Sequence, residues 1–368
     1  MNDFSHHLFR EIYGQPELWL SIGSRADEIG AVLEQARAIG PNLVHVTGRG
    51  SSAHAASIIG RHAEEVLNVP SRFFSIEDAS RRETQPSHSS MLTFPRSIAF
   101  VVSQSGQSPD LLAATNELHQ HAELVIAITN SDGSPVAASA DVHLAVGSSP
   151  EIAVAATKTF TGSVVVGALA LAALTQRISE RVENIEQIAD VAGESLRLTE
   201  RIPDQLFEDI EATGRVMIVG PANNLAIAQE AALKLSENAG ITAVAMSASD
   251  AIHGPIAQVG EEVTVLSLLS TPGAPQALAN FDRRVLTMGK RVWHLDSTGF
   301  HRGAQKEPRP LDVAPIFAGL LELIPLQWLS GVLAQRSGMD PDSPRALVKE
   351  TMTQSVKPTS NALKEIST

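Results

Sequence analysis

The sequence predicts an α/β protein in which two doubly wound parallel-sheet domains follow one another in tandem. From Leu43 onward, short β-branched runs alternate with longer helical patterns, as in parallel strands joined by crossover helices. The pattern begins again at Val216, and both halves lead from their first strand into a glycine, Gly48 and Gly220. The length of 368 residues fits two domains of about 100 to 200 residues each.

Four strands are predicted in each half, with helices between them. In the first half they cover residues 43–47, 98–103, 125–129 and 142–146, and in the second half 216–219, 242–246, 263–269 and 291–294. Helices are predicted over residues 53–67, 111–119 and 155–177, and two amphipathic helices separated at Pro203 fill residues 180–213. The predicted domains are N-terminal helices over residues 1–30, sheet domains over 31–180 and 200–343, and a tail over 344–368.

The composition excludes several classes of function. The net charge of -13 disfavours binding to the phosphate backbone of nucleic acid. The absence of cysteine excludes disulfides, thiolate nucleophiles and cysteine-ligated zinc, and a cytoplasmic location is expected. Residues 1–10 lack the apolar stretch of a secretory signal, and the longest apolar run, residues 164–174, is shorter than the ~20 residues needed to cross a bilayer. Neither a nucleic-acid partner nor a membrane segment is expected.

The loop after the predicted strand at residues 98–103 is rich in hydroxyl groups. It consists of Ser103, Gln104, Ser105, Gly106, Gln107 and Ser108. Pro109 follows and suits the first turn of a helix, so hydroxyls and backbone N–H groups converge on a helix N-terminus. That arrangement binds phosphate with few cations. The alternative is that these serines only cap the helix and form the turn.

The loop after the first predicted strand also leads into a helix. Gly50, Ser51 and Ser52 are expected to contact the same phosphorylated ligand, because adjacent hydroxyls suit a polyol phosphate. Two alternatives remain open. Gly48, Gly50 and Ala53 match the G-x-G-x-x-A fingerprint of dinucleotide-binding loops, or the glycines serve the turn alone.

Thr157 and Lys158 lie at the start of the most apolar helical segment. A lysine there is opposed by the helix dipole, so its placement is unfavourable unless an anion is near. Either a bound anion or a capping role would explain this placement. Thr157, next to the lysine, is the candidate ligand contact in the first case.

The candidate acid/base residues are Glu230, Lys234 and Glu237. Their spacing of i, i+4 and i+7 places them on one face of a helix. Buried apolar neighbours indicate that this face lines a cleft, where a carboxylate beside a lysine can act as a base. The alternative is a solvated stripe of ion pairs. His253 lies at a Gly-Pro turn and has either a proton-transfer or a structural role. No spacing of metal ligands is present, so neither a metal nor a cofactor is expected.

Several segments in this order resemble the sugar isomerase (SIS) family, notably the isomerase domain of glucosamine-6-phosphate synthase and stand-alone glucosamine-6-phosphate deaminases. They are residues 11–16 (EIYGQP), 103–106 (SQSG), 154–158 (VAATK), 230–237 (EAALKLSE), 253–255 (HGP), 315–317 (PIF), 324–327 (IPLQ) and 344–349 (PRALVK). The resemblance implies two flavodoxin-like or Rossmann-like three-layer SIS domains. It also implies sugar-phosphate contacts from Ser52, Ser103, Gln104, Ser105 and Ser108.

The resemblance further implies a division of chemical roles. Glu237 is then the base that moves a proton between C1 and C2, with Lys234 and Glu230 as its neighbours. His253 is the ring-opening group, and Lys349 is a lid or amine-handling lysine in a tail that completes the active site. The family also implies a homodimer in which His253 of one subunit completes the site of the other. The apolar segment at residues 154–174 is expected to lie in that interface.

Two departures from the synthase pattern shape the expected activity. Ala156 stands where that pattern has a serine, and the sequence contains no glutaminase domain with its N-terminal cysteine. A cofactor-independent deamination of glucosamine 6-phosphate is therefore expected. The alternatives are a deglycase or isomerase acting on another amino-sugar or fructosamine phosphate, a non-catalytic sugar-phosphate sensor, and a dinucleotide-dependent dehydrogenase.

Overall fold

The chain forms two five-stranded sheets. This computed structural model describes residues 5–76, 95–269, 275–303 and 311–349. The first sheet contains β1 (Leu43–Thr47), β2 (Ser71–Phe73), β3 (Ser97–Ser103), β4 (Leu124–Thr129) and β5 (Val142–Ala145). The second contains β6 (Arg215–Gly220), β7 (Thr242–Ser247), β8 (Thr264–Leu268), β9 (Val292–Asp296) and β10 (Gly299–Arg302). The prediction of an α/β protein with two mainly parallel sheets is confirmed.

Both sheets have the same strand order. The first runs β2-β1-β3-β4-β5 with all pairs parallel, and Val44 pairs with Ser71 on one side and Ile98 on the other. Written from its other edge, the second runs β7-β6-β8-β9-β10. This is the same order, except that the last edge strand, β10, is antiparallel. The order reverses between β1 and β3 in one sheet and between β6 and β8 in the other. Ligands bind at such reversal points, outside the carboxyl ends of the strands.

The eight predicted strands are all present within one or two residues, and two edge strands were missed. β2 has three residues and is largely exposed, so it lacks an apolar run, and β10 has only four residues and does not alternate between buried and exposed. β3 and β4 are buried along their whole lengths, because helices cover both faces of the sheet. Continuous apolar runs therefore made them easy to recognise.

The helices described in the first half precede or flank the first sheet. They are α1 (His7–Tyr13), α2 (Gln15–Gly23), α3 (Ala26–Val32), α4 (Glu34–Ile39), α5 (Ser51–Leu67), α6 (Pro109–Leu118), α7 (Pro135–Ser139) and α8 (Lys158–Leu174). The helices of the second half are α9 (Ile178–Thr199), α10 (Asp204–Thr213), α11 (Leu225–Ala239), α12 (Ala248–Ile252), α13 (Pro275–Thr287) and α14 (Pro315–Arg336). Short 3₁₀ turns lie at Ala222–Asn224 and Pro255–Gln258.

α8 begins three residues later than the predicted start at residue 155. The buried side chain of Glu151 accepts hydrogen bonds from the backbone N–H groups of Thr157 and Thr159, at 2.9 and 3.1 Å. A carboxylate at this position satisfies two of the four N–H groups that a helix start leaves unpaired. Residues 148–157 are thereby held as a loop, which helical periodicity alone did not reveal.

Every residue of α8 is buried by the chain's own elements, among them α2 and α5. The expectation that this segment forms a dimer interface is therefore wrong, because its apolar surface is already covered within one chain. Of the described residues, α14 is the one helix long and apolar enough to cross a bilayer by length and composition. It is a second central helix, with 89% of its most apolar window buried in the chain.

One continuous apolar core joins the two sheets, and the N-terminal helices pack onto it. Trp19 in α2 is fully buried and donates to Thr161 Oγ1 of α8 at 3.1 Å. Gln15 donates to Gln327 of α14 at 2.9 Å. The side chain of Asp342 caps the start of α1 through the N–H groups of His7 and Leu8. The segment around Asp342 is thus fixed against α1, and it leads directly to residues 344–349.

Candidate active site

A cleft of about 240 Å³ lies at the point where the strand order of the first sheet reverses. The loops after β1 and β3 form two of its sides, α11 forms a third, and residues 347–349 and the loop before α8 close it. Its lining residues are Arg49, Gly50, Ser51, Ser52, Ser103, Gln104, Ser105, Gln107, Ser108, Leu111, Val154, Ala156, Lys234, Glu237, Leu347, Val348 and Lys349. Most of the site residues predicted from the sequence meet here.

The loop between β3 and α6 is shaped by its own serines. Ser103 Oγ accepts a hydrogen bond from Gly106 N at 3.1 Å, and Ser105 Oγ accepts one from Gln107 N at 3.2 Å. Ser108 donates to Asp110 Oδ1 at 2.6 Å. The loop thus wraps the N-terminus of α6, where the helix dipole favours an anion.

Gly106 is required by this loop. Its φ is +64°, and a Cβ added there would lie 2.0 Å from Ser134 Oγ. Both the left-handed backbone and the close approach of Ser134 exclude a side chain. The tight turn that presents Ser103, Ser105 and Ser108 to the cleft therefore depends on glycine.

The loop between β1 and α5 is tied to the other two sides of the cleft. The guanidinium of Arg49 pairs with Asp110 at 2.6 Å, which joins it to the start of α6. Ser51 Oγ accepts a hydrogen bond from Lys234 Nζ at 3.1 Å, which joins α5 to α11. Arg49 was not predicted. The sequence shows that Arg49 lies in a glycine-rich loop, but it does not show that Arg49 pairs with Asp110, 61 positions away.

The three ionisable residues of α11 form one ion-paired cluster. Lys234 Nζ lies 2.5 Å from Glu237 Oε2 and 3.4 Å from Glu230 Oε1. Burial alone lowers the pKa of Lys234, but the two carboxylates outweigh it and the pKa lies above its ordinary value. Glu230 is fully buried behind the cleft, whereas the side chain of Glu237 is 26% exposed and lines it. Glu237 is therefore the carboxylate of the cluster that is exposed to the cleft.

His54 is a neighbour of this cluster that the sequence analysis missed. Its Nδ1 lies 2.8 Å from Glu230 Oε2. Burial raises the pKa of Glu230, but Lys234, His54 and Ser51 together outweigh burial and hold it below its ordinary value. A histidine at the start of a predicted helix carried no signal of its own, because its partner is 176 positions away.

Glu151 was also missed, and it fixes the position of Lys349. Lys349 Nζ donates to Glu151 Oε2 at 3.0 Å and to the carbonyl oxygen of Ala153 at 2.6 Å. Because Glu151 also caps α8, one buried carboxylate couples the wall of the cleft to the residue that closes it. A glutamate directly before an apolar helix could have been recognised as a cap, but not as a partner of Lys349.

Three predicted residues do not line the cleft of this chain. Thr157 is buried and directs its N–H and hydroxyl groups to Glu151, so it is part of the capped start of α8 and does not face the cleft. Glu230 lies behind Lys234. His253 follows α12 on the exposed surface of the second half.

One group of histidine and acidic residues within the described ranges is close enough together to hold a metal ion. It consists of His6, Asp340 and Asp342, and none of the three lines the cleft. A second cavity, of about 450 Å³, lies between α1, α2 and the loop before α8. Glu11 in its wall accepts a hydrogen bond from Ile152 N at 2.5 Å, and burial raises the pKa of Glu11 to about 7.

The fold and cleft define a class of protein: doubly wound α/β proteins in which an ion-paired carboxylate shares a cleft with serine-rich strand-to-helix loops. Residues 41–173 match the model of the SIS domain. The match covers the first sheet and agrees with the resemblance of the sequence.

The similarity to known proteins extends beyond that domain. The chain is 30% identical over 355 residues to the glutamine–fructose-6-phosphate aminotransferase (isomerizing) of Pyrobaculum aerophilum, covering 94% of this chain and 57% of that protein. It thus spans somewhat more than half the length of this relative.

Two solved structures share the fold over almost their whole lengths. A candidate phosphosugar isomerase from Silicibacter pomeroyi DSS-3 is 27% identical, with a TM-score of 0.77 and coverage of 91% of this chain and 99% of that one. The glucosamine-6-phosphate deaminase of Thermotoga maritima is 20% identical, with a TM-score of 0.69 and coverage of 94% and 100%.

Proposed function

We propose that this chain is a phosphosugar isomerase that converts glucosamine 6-phosphate and water into fructose 6-phosphate and ammonia. The observation that carries the proposal is the position of Glu237, which lines the same cleft as the serine-rich loops while the buried Lys234 ion-pairs with it. The names of the similar proteins, an isomerizing aminotransferase of fructose 6-phosphate and a glucosamine-6-phosphate deaminase, support this substrate class.

The substrate phosphate is proposed to bind at the loop between β3 and α6. Hydroxyls of Ser103, Ser105 and Ser108, the side chain of Gln104 and the N-terminus of α6 supply donors and a favourable dipole. Ser52, Ser51 and Gly50 border the same space from the start of α5. These donors allow a protein with a net charge of -13 to hold an anion.

Glu237 is proposed to move the proton that interconverts aldose and ketose. In the open-chain substrate the carboxylate removes the hydrogen on C2 and returns it to C1, while the C1 carbonyl oxygen gains a proton and the amine nitrogen on C2 loses one. The product carries a CH₂OH group at C1 and an imine at C2. Lys234 stabilises the anionic form of Glu237 before the transfer.

Hydrolysis then completes the deamination. Water adds to the C2 imine, the amine nitrogen leaves as ammonia, and the C2 carbonyl of fructose 6-phosphate remains. Lys349, which lines the cleft and hydrogen-bonds to Glu151, is proposed to contact the amine or O1. Each step is a proton transfer, an addition or an elimination, so the proposal needs neither a metal nor a redox cofactor.

The same proposal includes the organisation of the molecule. The second sheet, with its matching strand order, is proposed to be a second SIS domain over residues 200–343, after a first domain over 31–180. N-terminal helices over residues 1–30 and a tail from residue 344 complete the chain. A homodimer is proposed in which the exposed His253 of one copy reaches the cleft of the other and assists ring opening.

The experiment that tests the function measures ammonia release and C2-proton exchange in D₂O. We expect wild-type protein to release ammonia from glucosamine 6-phosphate and to exchange the C1 and C2 protons of the sugar. Exchange without ammonia release would indicate an aldose–ketose isomerase, and ligand binding without exchange would indicate a sensor. Absence of binding to any hexose or hexosamine phosphate would contradict the proposal.

Glu237→Gln is expected to abolish turnover and leave binding nearly intact, because the amide keeps the shape but has no basic electron pair. A positioned general base contributes roughly 10²- to 10⁴-fold, so kcat should fall by that factor with KM little changed. Glu17→Gln, an exposed glutamate outside the cleft, is the matched control. Near-normal kcat in Glu237→Gln would place the base elsewhere.

The shared site is tested by subunit exchange. Inactive Glu237→Gln subunits mixed with inactive His253→Ala subunits should form heterodimers with one intact site, at up to about half of wild-type activity by symmetry. Verified heterodimers that stay inactive, while each variant still binds ligand, would show that His253 does not complete the neighbouring site.

A further inference from the structure

His54 links the two halves of the molecule at the back of the cleft. It lies in the first turn of α5, one turn after Gly50, and its side chain is largely buried. Its Nδ1 lies 2.8 Å from Oε2 of the fully buried Glu230 on α11. Because the pKa of Glu230 is held below its ordinary value, Glu230 is a carboxylate. Nδ1 of His54 therefore carries the hydrogen and donates it.

Glu230 connects His54 to Lys234, and Lys234 in turn pairs with Glu237 in the cleft. Lys234 is shared unequally between two carboxylates, at 3.4 Å from Glu230 and 2.5 Å from Glu237. A buried carboxylate that lacks donors attracts the nearest cation strongly. The hydrogen bond from His54 supplies one donor to Glu230, which leaves Lys234 closer to Glu237.

We propose that His54 is a positioning residue for the base Glu237, acting through Glu230 and Lys234. The inference rests on the proposed function, since it concerns the carboxylate that moves the C2 proton. Without the His54 donor, Lys234 moves toward Glu230 and away from Glu237. Glu237 then loses part of its cationic partner, so its anionic form is less stable at the acidic end of the working range.

The charged groups around this chain of contacts come from three elements. α11 supplies Glu230, Lys234 and Glu237, and the charge of Glu151, in the loop before α8, also acts on Lys234. α5 supplies His54 and the hydroxyl of Ser51, which accepts from Lys234. Ser51 also hydrogen-bonds to Glu230, so both His54 and Ser51 of α5 contact this carboxylate across the two halves.

The experiment compares His54→Ala with His54→Asn. Asparagine can place an amide N–H near the position of Nδ1, whereas alanine cannot. We expect kcat of His54→Ala for C2-proton exchange to fall by roughly tenfold or more, as for loss of a hydrogen bond to a charged group. KM should change little, and the acidic limb of the pH–rate profile should move to higher pH. His54→Asn should restore most of kcat and the wild-type profile.

Arg61→Ala is the matched control, because Arg61 is an exposed residue of the same helix whose ion pairs are with Glu64 and Glu65. It should leave kcat and the profile unchanged. If His54→Ala and Arg61→Ala behave alike, or if His54→Asn is as impaired as His54→Ala, the positioning role is wrong while the proposed function stands. If wild-type protein exchanges no proton with any hexose phosphate, the proposed function fails and the inference fails with it.

Discussion

At the residue scale, two carboxylates define the cleft: Glu237 lines it, and Glu151 holds Lys349, which closes it. Ser103, Ser105, Lys234 and Glu237 were predicted because serines after a strand and charges at helical spacing are local patterns. Glu151 was not, because its role rests on a contact with a residue 198 positions away. A local sequence pattern shows which residues share one helix or one loop. Contacts between distant segments depend on the whole fold.

Glu151→Gln tests the role of this buried carboxylate. Glutamine offers one acceptor oxygen where Glu151 uses two, so it cannot satisfy Thr157, Thr159 and Lys349 together. We expect the free energy of unfolding to fall by about 1–3 kcal/mol and KM for the sugar phosphate to rise as Lys349 loses its anchor. Chemical denaturation and steady-state kinetics measure the two effects. A variant with wild-type stability and KM would show that Lys349 is held by other contacts.

At the scale of elements, the strands were predicted better than the helix starts. β3 and β4 are recognisable because they are buried on both faces, whereas β2 and β10 are short edges. The start of α8 was placed too early because a side chain, Glu151, decides where the helix begins. Periodicity identifies the middle of a helix, and hydrogen bonds outside the pattern determine its ends.

The turn between β3 and α6 gives a prediction at this scale. Gly106→Ala forces a side chain into a left-handed residue and against Ser134, so the turn must shift and its serines lose their positions. We expect sugar-phosphate affinity to fall at least tenfold, measured by calorimetry. Gly133→Ala, also at positive φ but with nothing within 4 Å of the added Cβ, is the control for backbone strain alone. Equal affinities of the two variants would contradict a special role for the space at Gly106.

At the scale of the whole molecule, Glu11 makes stability depend on pH. Its pKa in the folded chain is about 7, above the ordinary value of 4.5, so the folded state holds more protons than the unfolded state between these values. The contribution of Glu11 to stability therefore falls as pH rises from about 4.5 to 7, by on the order of 3 kcal/mol.

Glu11→Gln tests this dependence, because glutamine stays neutral throughout the range. The variant should lose the downward slope of unfolding free energy across that window, in urea titrations at several pH values. Glu17→Gln on the adjacent helix, where the side chain is exposed, should keep the wild-type slope. An unchanged slope in Glu11→Gln would assign the pH dependence to other groups.

The matched strand order of the two sheets has a consequence for binding stoichiometry. Each sheet has one reversal point, and each is faced by a helix of the other half: α11 at the first, and α5 at the second. The second reversal point holds a space of only about 30 Å³. Asn223 and Asn224 line it on one side, Arg61 and His62 of α5 on the other, and Ile316 of α14 also contacts it. That volume is of the order of one water molecule, far below a hexose phosphate.

The first half therefore has an open pocket at its reversal point, whereas the start of α14 occupies the corresponding place in the second half. Calorimetry should count one sugar phosphate per chain. A count of two would mean that α14 moves aside on binding or that the cavity between α1 and α2 also binds the ligand. The two halves therefore have different roles. The second half supplies Lys234 and Glu237 of α11 to the pocket of the first half, and its own reversal point has no room for a hexose phosphate.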